Sequence, residues 1–268
     1  KIRPLLVTTV HGPYSINFYS SIMAKGDLVI AISEMIKKYV LDNYKVHKKR
    51  LYLNYRGVDS INYNNKQTVS RLWSKDWFRE YPKTKNKILV TLPARITRWK
   101  GQEDFISLIL KLKDDFPDIH GLIVGDAQKG KKKFLKSLRA KVKLNNLSDD
   151  ITFTGHRVDI KEIMLISKIV FSLSNEPEAF GRVSLEALSL GIPVIAYSHG
   201  GVEEQLKKIL PSGLVAKNSN QLLYEKTKKF LIQPPIPKKN NHFLLKNMLE
   251  NTLNIYFIGI KLNNKDRY

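Results

Sequence analysis

Two glutamates and a glycine within residues 174–187 form the most informative chemical group in the sequence: Glu178, Gly181 and Glu186. An apolar run precedes this stretch and helical periodicity follows it, which predicts a strand, a turn and then a helix. Free N–H groups at a helix start bind anions, and glycine lets the backbone approach a ligand closely. Together with two carboxylates that accept hydrogen bonds from hydroxyls, such a site suits a nucleotide-sugar. The plainer interpretation is an ordinary helix start with acidic residues near its dipole.

Two cations, Arg95 and Lys100, follow another apolar run, residues 88–92. A diphosphate that leaves a sugar gains negative charge as the bond breaks, and fixed positive charge stabilises it. Arginine offers a bidentate fork to phosphate, whereas lysine acts as a point charge. We therefore expect a diphosphate site here, although basic residues are frequent throughout the chain.

Short polar segments follow three further apolar runs and contain His11, Gly125, Gly155, His156 and Arg157. If the runs are strands of parallel sheets, their carboxyl ends lie at the edge where ligands of α/β proteins bind. We expect His11 to face a cleft between two domains. A simple turn also explains Gly125, and a surface position also explains His156.

The elements that must position these residues alternate along the chain. Apolar runs typical of strands covered on both faces occupy residues 5–10, 28–32, 51–54, 88–92, 121–124, 151–154, 169–173 and 193–197. Helical periodicity occupies residues 34–43, 102–114, 131–143, 183–190, 221–231 and 243–256, and a short helix is expected at 72–81. This alternation predicts an α/β fold with parallel sheets and right-handed crossovers.

Polar and proline-rich segments divide the chain into four parts. Residues 1–60 are predicted to be the remainder of an N-terminal Rossmann-like domain, 61–85 a linker and 86–232 a complete Rossmann-like domain. The prolines of 233–237 end the last helix of that domain, and 233–268 are expected to form a C-terminal helix and tail that pack back on the first domain. Because the sequence begins at Lys1, almost directly on a strand, the first domain is expected to be incomplete.

The residues of 174–187 resemble the E-x7-E motif of the retaining GT-B glycosyltransferases of family 4, also called group 1. Glu178 and Glu186 match its two glutamates, and the segment from Glu178 to Gly181 resembles the family's usual E-G-F-G. The resemblance implies that Glu178 contacts hydroxyls of the donor sugar and that Glu186 holds the ribose. It also implies that Arg95 and Lys100 contact the donor diphosphate.

The resemblance runs from about residue 5 to residue 256 and assigns further roles. It implies that His11 contacts the sugar and that the segment from Gly155 to Arg157 lies along the base. The remaining residues that it implies for donor binding are Gly125, Phe180, Gly181, Arg182 and Val183. Family members begin with a longer N-terminal part that carries most of the acceptor site, so the activity of this shorter chain is in doubt.

The implied reaction moves a hexose-like sugar from a nucleoside diphosphate, with retention, to a glycan or lipid-linked acceptor of the cell envelope, such as lipopolysaccharide or capsule. No D-x-D motif for a divalent metal and no other cofactor motif is present, so we expect neither a metal nor a cofactor. The sequence also contains no recognisable nucleic-acid-binding module.

The composition sets outer limits. The chain has 268 residues and no cysteine, which excludes disulfides and thiolate metal sites. It contains neither an apolar run of membrane-spanning length nor a secretory signal pattern, and we expect a cytoplasmic protein. The formal charge of +22 suits an anionic membrane face, although general lysine richness explains it as well.

Three alternatives stay open. The first is an inactive fragment that only binds nucleotide. The second is a basic protein that binds polyanions, with binding that falls steeply with salt. A phosphorylase or epimerase with the same fold is the third, and the glutamate that faces the sugar favours a transferase over it.

Overall fold

Two parallel sheets, one of three strands and one of six, organise the chain. The computed structural model describes residues 4–127, 130 and 132–265. The strands of the smaller sheet lie side by side in chain order, and those of the larger sheet lie in the order 151–155, 119–124, 88–93, 169–172, 194–197 and 214–215. All neighbouring strands run parallel, so the predicted α/β class with parallel sheets is confirmed.

The strands and helices follow the predicted alternation. The strands are β1 (Val7–Val10), β2 (Leu28–Ala31), β3 (Leu51–Leu53), β4 (Ile88–Pro93), β5 (Ile119–Val124), β6 (Ile151–Gly155), β7 (Ile169–Ser172), β8 (Val194–Tyr197) and β9 (Leu214–Val215). The helices are α1 (Glu34–Asn43), α2 (Arg71–Glu80), α3 (Gln102–Leu112), α4 (Lys132–Leu144), α5 (Ile160–Leu165), α6 (Arg182–Ser189), α7 (Gly200–Ile209), α8 (Asn220–Ile232) and α9 (Leu245–Lys265).

The six-stranded sheet forms the larger core because helices cover both of its faces. Every residue of β5 and of β8 is buried, as expected for strands without a solvent-facing side. On one face, Phe105 and Ile109 of α3 pack onto β5 at Gly121, where a Cβ atom would lie only 3.0 Å from each side chain. The continuous apolar runs therefore reflect two-sided burial, and they place the loops after each strand at one shared edge.

The three-stranded sheet is covered by α9, which returns from the larger domain. The N–H of Val58 donates to the Phe243 carbonyl at 3.0 Å, and the N–H of Leu245 donates to the Val58 carbonyl at 2.9 Å. The buried Asn54 side chain donates to the Met248 carbonyl at 3.0 Å and to the Thr252 hydroxyl at 2.8 Å. These contacts fasten the start of α9 to the chain just after β3.

Helix α1 connects the two domains through its N-terminus. The Ser33 hydroxyl caps the helix by accepting the N–H of Ile36 at 3.1 Å. The carboxylate of Glu204, from α7 of the larger domain, accepts the N–H groups of Glu34 at 3.0 Å and Met35 at 2.8 Å. A carboxylate at this position satisfies free donors and complements the helix dipole, so it stabilises the domain contact.

The structure contains three elements that the sequence did not predict: α5, α7 and β9. Helix α7 begins at Gly200 and Gly201, a pair that predicts a turn rather than a helix. Its apolar face is buried, and the buried Gln205 side chain donates to the carbonyls of Phe180 at 2.5 Å and Gly181 at 3.1 Å. Such long-range contacts leave no local pattern.

Several boundaries also differ. Helix α9 extends to residue 265, beyond the predicted end at residue 256. The predicted helix 131–143 was to begin at Lys131, which lies outside the described residues, as do residues 266–268 of the predicted tail. No helix in the described ranges has the length and apolar character needed to cross a membrane.

Candidate functional site

Two adjoining cavities lie at the carboxyl ends of β4 and β7, where the loops of the larger domain meet the smaller one. The first has a volume of about 530 Å³ and belongs to the larger domain alone. The second has a volume of about 750 Å³ and lies between the domains. Glu178, Gly181 and Arg182 line both, so the predicted strand–turn–helix stretch forms the boundary between them.

The structure brings nine of the predicted site residues to these cavities. Those that line the first are Arg95, Lys100, Glu178, Gly181, Arg182 and Val183. Those that line the second are His11, Glu178, Phe180, Gly181, Arg182 and Glu186. A cavity of about 780 Å³ elsewhere, between residues 58–66 and 236–240, contains none of them.

An ion pair joins the two motifs of the first cavity. Lys100 Nζ lies 2.8 Å from Glu178 Oε1, and both side chains are largely buried. The hydroxyl of Ser174 donates to the same oxygen, and Lys100 Nζ lies 4.1 Å from the centre of the Trp99 ring. Two donors thus fix the Glu178 carboxylate and leave its Oε2 atom outside these contacts, in a position to accept a hydrogen bond from a ligand.

Close backbone approaches hold these loops in place. Gly101, which precedes α3, has φ +74°, and a Cβ atom there would collide with the carbonyl of Leu173. Gly200 has φ +68°, and a Cβ atom would lie 2.8 Å from the backbone of Glu178. The N–H of Gly201 donates to the Glu178 carbonyl at 2.7 Å. The loop after β7 is therefore clamped between the starts of α3 and α7, which requires glycine at both contacts.

The start of α6 opens into the first cavity. Gly181 precedes the helix with φ +85°, and no side chain caps the helix there. Its first residues, Arg182, Val183 and Ser184, line the cavity. The first turn of a helix has N–H groups without intrahelical partners and the positive end of the helix dipole. This cavity can therefore accept an anionic group.

Arg95 adds an exposed cation to the same cavity. Its side chain is exposed and lines the cavity, and among the described residues no carboxylate lies within ion-pair distance of it. Its backbone is fixed, because the buried Gln102 side chain donates to the Arg95 carbonyl at 2.9 Å. A ligand phosphate in the cavity would meet this guanidinium and the α6 N–H groups together.

Glu186 is the buried carboxylate of the second cavity. Only 8% of the residue is exposed, and burial raises its pKa. Arg182, one turn earlier on α6, opposes this increase, with its Nη2 atom 3.3 Å from Glu186 Oε1. Because desolvation disfavours the charge of an isolated carboxylate, a ligand hydroxyl that donates to Glu186 would stabilise it further.

His11 and Arg56 form the opposite wall of the second cavity. Arg56 Nη2 donates to His11 Nδ1 at 2.6 Å. Since a guanidinium only donates, Nδ1 must accept, and the neutral ring carries its proton on Nε2. Burial and the charge of Arg56 both lower the pKa of His11, which favours this neutral form. The sequence assigns no role to Arg56, because its partner lies 45 positions away.

Four predicted residues line neither cavity: Gly125, Gly155, His156 and Arg157. The N–H of Gly125 donates to the Gly155 carbonyl at 2.8 Å, and Gly125 adopts φ +144° against the carbonyl of Ala94. This bridge holds the loops after β5 and β6 beside the loop that carries Arg95. His156 is exposed, and a Cβ atom on Gly155 would meet open space.

The Arg157 side chain is engaged by other side chains of the protein. Its Nε and Nη2 atoms donate to the two carboxylate oxygens of Asp159 at 2.9 and 2.8 Å. Its Nη1 atom donates to Glu80 at 2.9 Å, and the guanidinium lies 5.7 Å from the ring centres of Trp77 and Tyr81. These contacts fasten α2 to the loop after β6, so a nucleotide contact through this side chain would have to compete with them.

The described residues contain no group of three or more histidine, aspartate or glutamate side chains placed to hold a metal ion.

Comparison with known proteins decides the family. Residues 74–244 match the family model for glycosyl transferases group 1. This chain belongs to that family. The match covers the second part of the linker, both motifs and the whole larger domain. The predicted resemblance is thereby confirmed at the level of group 1.

Curated relatives of this group 1 protein are distant in sequence. It is 29% identical over 187 residues to the uncharacterized glycosyltransferase MJ1069 of Methanocaldococcus jannaschii, a match that covers 68% of this chain and 44% of that protein. It is 26% identical over 214 residues to N-acetyl-alpha-D-glucosaminyl L-malate synthase of Bacillus anthracis, covering 76% of this chain and 52% of the relative. The chain thus spans about half the length of these relatives.

Solved structures confirm the GT-B architecture. A glycosyltransferase from Rickettsia africae superposes with a TM-score of 0.82 at 29% identity, covering 95% of this chain and 70% of the other. The Anabaena protein HepE, solved in complex with UDP and glucose, superposes with a TM-score of 0.74 at 24% identity, covering 85% of this chain and 62% of the other. The second likeness shows the fold alone.

Proposed function

We propose that this group 1 protein binds a nucleoside-diphosphate sugar and forms the donor side of a retaining glycosyltransferase. The observation that carries the proposal is the first cavity, where Arg95, Lys100, Glu178 and the open start of α6 converge. Cations and helix N–H groups suit a diphosphate, and a fixed carboxylate suits sugar hydroxyls. A likeness to HepE, which was solved with UDP-glucose, supports this choice of donor.

In this proposal each group has one task. Arg95 and the N–H groups of α6 hold the diphosphate and stabilise the charge that develops on it as the glycosidic bond breaks. Lys100 neutralises the same region while it orients Glu178. Glu178 accepts hydrogen bonds from the sugar, and Glu186 accepts them from the ribose. The departing phosphate takes the proton of the acceptor hydroxyl on the same face of the sugar, so the anomeric configuration is retained without a side-chain base. Neither a metal nor a cofactor has a task in this scheme.

The acceptor is proposed to be an envelope glycan or a lipid-linked precursor, as in lipopolysaccharide or capsule synthesis. WaaG, a glycosyltransferase involved in lipopolysaccharide biosynthesis, shares the fold, with a TM-score of 0.65 at 16% identity. The net charge of +22 suits work at the anionic cytoplasmic face of a membrane. Nucleic acid has no place in the proposal.

The experiment is calorimetric titration of the chain with UDP, GDP and ADP, each with and without EDTA. Arg95→Ala and Glu186→Ala are compared with the parent. Arg98→Ala is the matched control, because Arg98 lies three positions from Arg95 but outside both cavities, 5.1 Å from the Phe134 ring centre.

We expect saturable binding of one diphosphate that EDTA does not change. A charge-assisted hydrogen bond contributes about 1.5–3 kcal/mol, so Arg95→Ala should weaken binding at least about tenfold. Glu186→Ala should weaken it too, whereas Arg98→Ala should not. A folded parent that binds none of the three would overturn the proposal. Binding that falls steeply with salt and ignores Arg95 and Glu186 would favour the polyanion-binding alternative instead.

A further inference from the structure

The second cavity contains a cation that the proposed donor contacts do not use. Arg56, just after β3, is partly buried and lines the cavity beside His11. Its guanidinium donates to His11 Nδ1 at 2.6 Å and lies 3.8 Å from the sulfur of Met248. Within the described ranges no carboxylate is close enough to form an ion pair with it. Neither of its neighbours neutralises it.

The carboxylates that share this cavity are already engaged. Asp59 accepts the N–H of Ile61 at 2.9 Å and the side chain of Asn62 at 2.6 Å. Glu178 is paired with Lys100, and Glu186 with Arg182. All three acidic groups therefore have partners in the protein. In the proposed function, Glu178 and Glu186 also accept hydrogen bonds from hydroxyls of the donor. None is placed to compensate Arg56.

A partly buried cation without an anion is energetically unfavourable. Burial lowers the pKa of Arg56, and the positive charge of Arg182 lowers it further. Both arginines line the second cavity, and the Arg182 side chain is 80% exposed there, with its Nη2 atom 3.3 Å from Glu186 Oε1. A bound anion between them would give Arg56 the charge-assisted contact that it lacks, and it would use the N–H groups of the Arg182 guanidinium that Glu186 does not contact. The neutral His11 ring would offer its Nε2–H group to the same anion.

We propose that the second cavity recognises an anionic group of the sugar substrate, a carboxylate or a phosphate distinct from the donor diphosphate, held between Arg56 and Arg182. The diphosphate belongs to the first cavity, with Arg95 and the start of α6. Glu178 lines both cavities, so a sugar that it contacts lies at their boundary and next to the second. This inference rests on the proposed function, and it defines an acidic sugar as the substrate class. The anion belongs either to the transferred sugar or to the acceptor.

The test compares donors that differ only at C6, where one has a hydroxymethyl group and the other a carboxylate. Titrations use UDP-glucose and UDP-glucuronate, or GDP-mannose and GDP-mannuronate, or ADP-glucose and ADP-glucuronate, whichever nucleotide binds. A second arm titrates free glucuronate and inorganic phosphate into the chain saturated with that nucleoside diphosphate. The variants are Arg56→Gln and Arg56→Lys. Arg79→Gln is the matched control, since it removes the same charge from a residue outside both cavities.

If the anion belongs to the transferred sugar, the carboxylate donor should bind the parent at least about tenfold more tightly than its neutral partner. Arg56→Gln should abolish this preference, Arg56→Lys should restore part of it, and Arg79→Gln should keep it. If the anion belongs to the acceptor, the donors should bind alike, and free glucuronate or phosphate should bind the saturated parent but not Arg56→Gln.

The inference is overturned if the donors bind alike and neither free anion depends on Arg56. Binding of the bare nucleoside diphosphate by Arg56→Gln shows that this variant is folded and tests the proposed function separately. If the chain binds the diphosphate but shows no Arg56-dependent preference, the result contradicts only the acidic substrate and leaves the proposed function standing. If the chain binds no nucleoside diphosphate, the result contradicts both the proposed function and the acidic substrate.

Discussion

The six-stranded and the three-stranded domain hold their walls of the site in different ways. In the larger domain, loops are clamped by close backbone contacts at Gly101 and Gly200 and by the ion pair between Lys100 and Glu178. In the smaller domain, the loop after β1 leaves large apolar side chains in solvent, with Phe18 81% exposed. Its wall is fixed mainly by residues that are distant in sequence.

This difference separates two kinds of substitution. A change in the larger domain should act first on stability, because its loops are part of a continuous packed core. A change at the contacts of the smaller domain should act first on where His11 and Arg56 lie relative to Glu178. The cavity between the domains therefore depends on a few contacts that can be weakened one at a time.

The largest expected effect comes from a substitution at the close backbone contact between Gly101 and Leu173. Gly101→Ala should lower the free energy of unfolding by about 3 kcal/mol or more, because left-handed backbone and a backbone collision add together. Gly155→Ala is the matched control: its φ of +72° is nearly the same as the +74° of Gly101, but a Cβ atom there meets open space. It should cost only about 1–2 kcal/mol. Chemical denaturation measures both, and equal losses would show that the close contact at Gly101 is unimportant.

The next effect concerns a buried histidine of β5 that contacts β6. Burial lowers the pKa of His120 from 6.5 to about 4, and its Nε2 atom lies 2.8 Å from the Thr152 hydroxyl. The unfolded chain therefore binds a proton below pH 6.5 that the folded chain does not bind until about pH 4. Stability is fully present above pH 6.5 and is lost as the pH falls toward 4. Between pH 7 and pH 5 the loss should be about 2 kcal/mol.

Denaturation at pH 7 and pH 5 checks this value in the parent and in His120→Asn. The variant should lose most of the pH dependence, whatever its stability at pH 7. His156→Asn serves as the comparison, because that histidine is exposed, and it should behave as the parent does. If His120→Asn kept the pH dependence of the parent, the titrating group would lie elsewhere. The packed core of the larger domain would then not be its source.

The smallest effect tests the contact between the domains. Glu204→Gln removes the charge that caps α1, which should cost about 1 kcal/mol. Hydrogen exchange at the amides of Glu34 and Met35 should then accelerate about fivefold through local opening. Glu203→Gln is the matched control, since Glu203 is paired with Lys207 at 2.8 Å on the same helix. Equal acceleration in both variants would mean that the carboxylate of Glu204 is not what holds α1.

The sequence predicts the larger domain better than the smaller one, for a physical reason. Glu178, Gly181 and Glu186 lie in one short stretch, so the turn and the helix bring them together without help from the rest of the fold. The apolar runs of β4, β5, β7 and β8 likewise reflect burial on both faces. Their predicted roles in binding a donor stay predictions.

The contacts between elements could not be predicted in the same way. Arg56 meets His11 across 45 positions, and Glu204 meets Glu34 across 170. Neither pair follows a period of helix or strand, so only the folded chain brings them together. The start of α7 at two glycines shows the same limit, because the helix is packed through residues such as Gln205, whose partner Phe180 lies 25 positions away.

The position of α9 also has a consequence for the order in which the protein folds during synthesis. The strands of the smaller sheet leave the ribosome first, but Leu28 and Ile30 share a buried cluster with Ile255 of α9. The side-chain amide of Asn54 likewise donates to Met248 and Thr252 of α9. All strands of the larger sheet are made in between and contain their own core. Of these two sheets, the one that is made earlier is thus completed later, because the face that α9 covers stays open until α9 has been made.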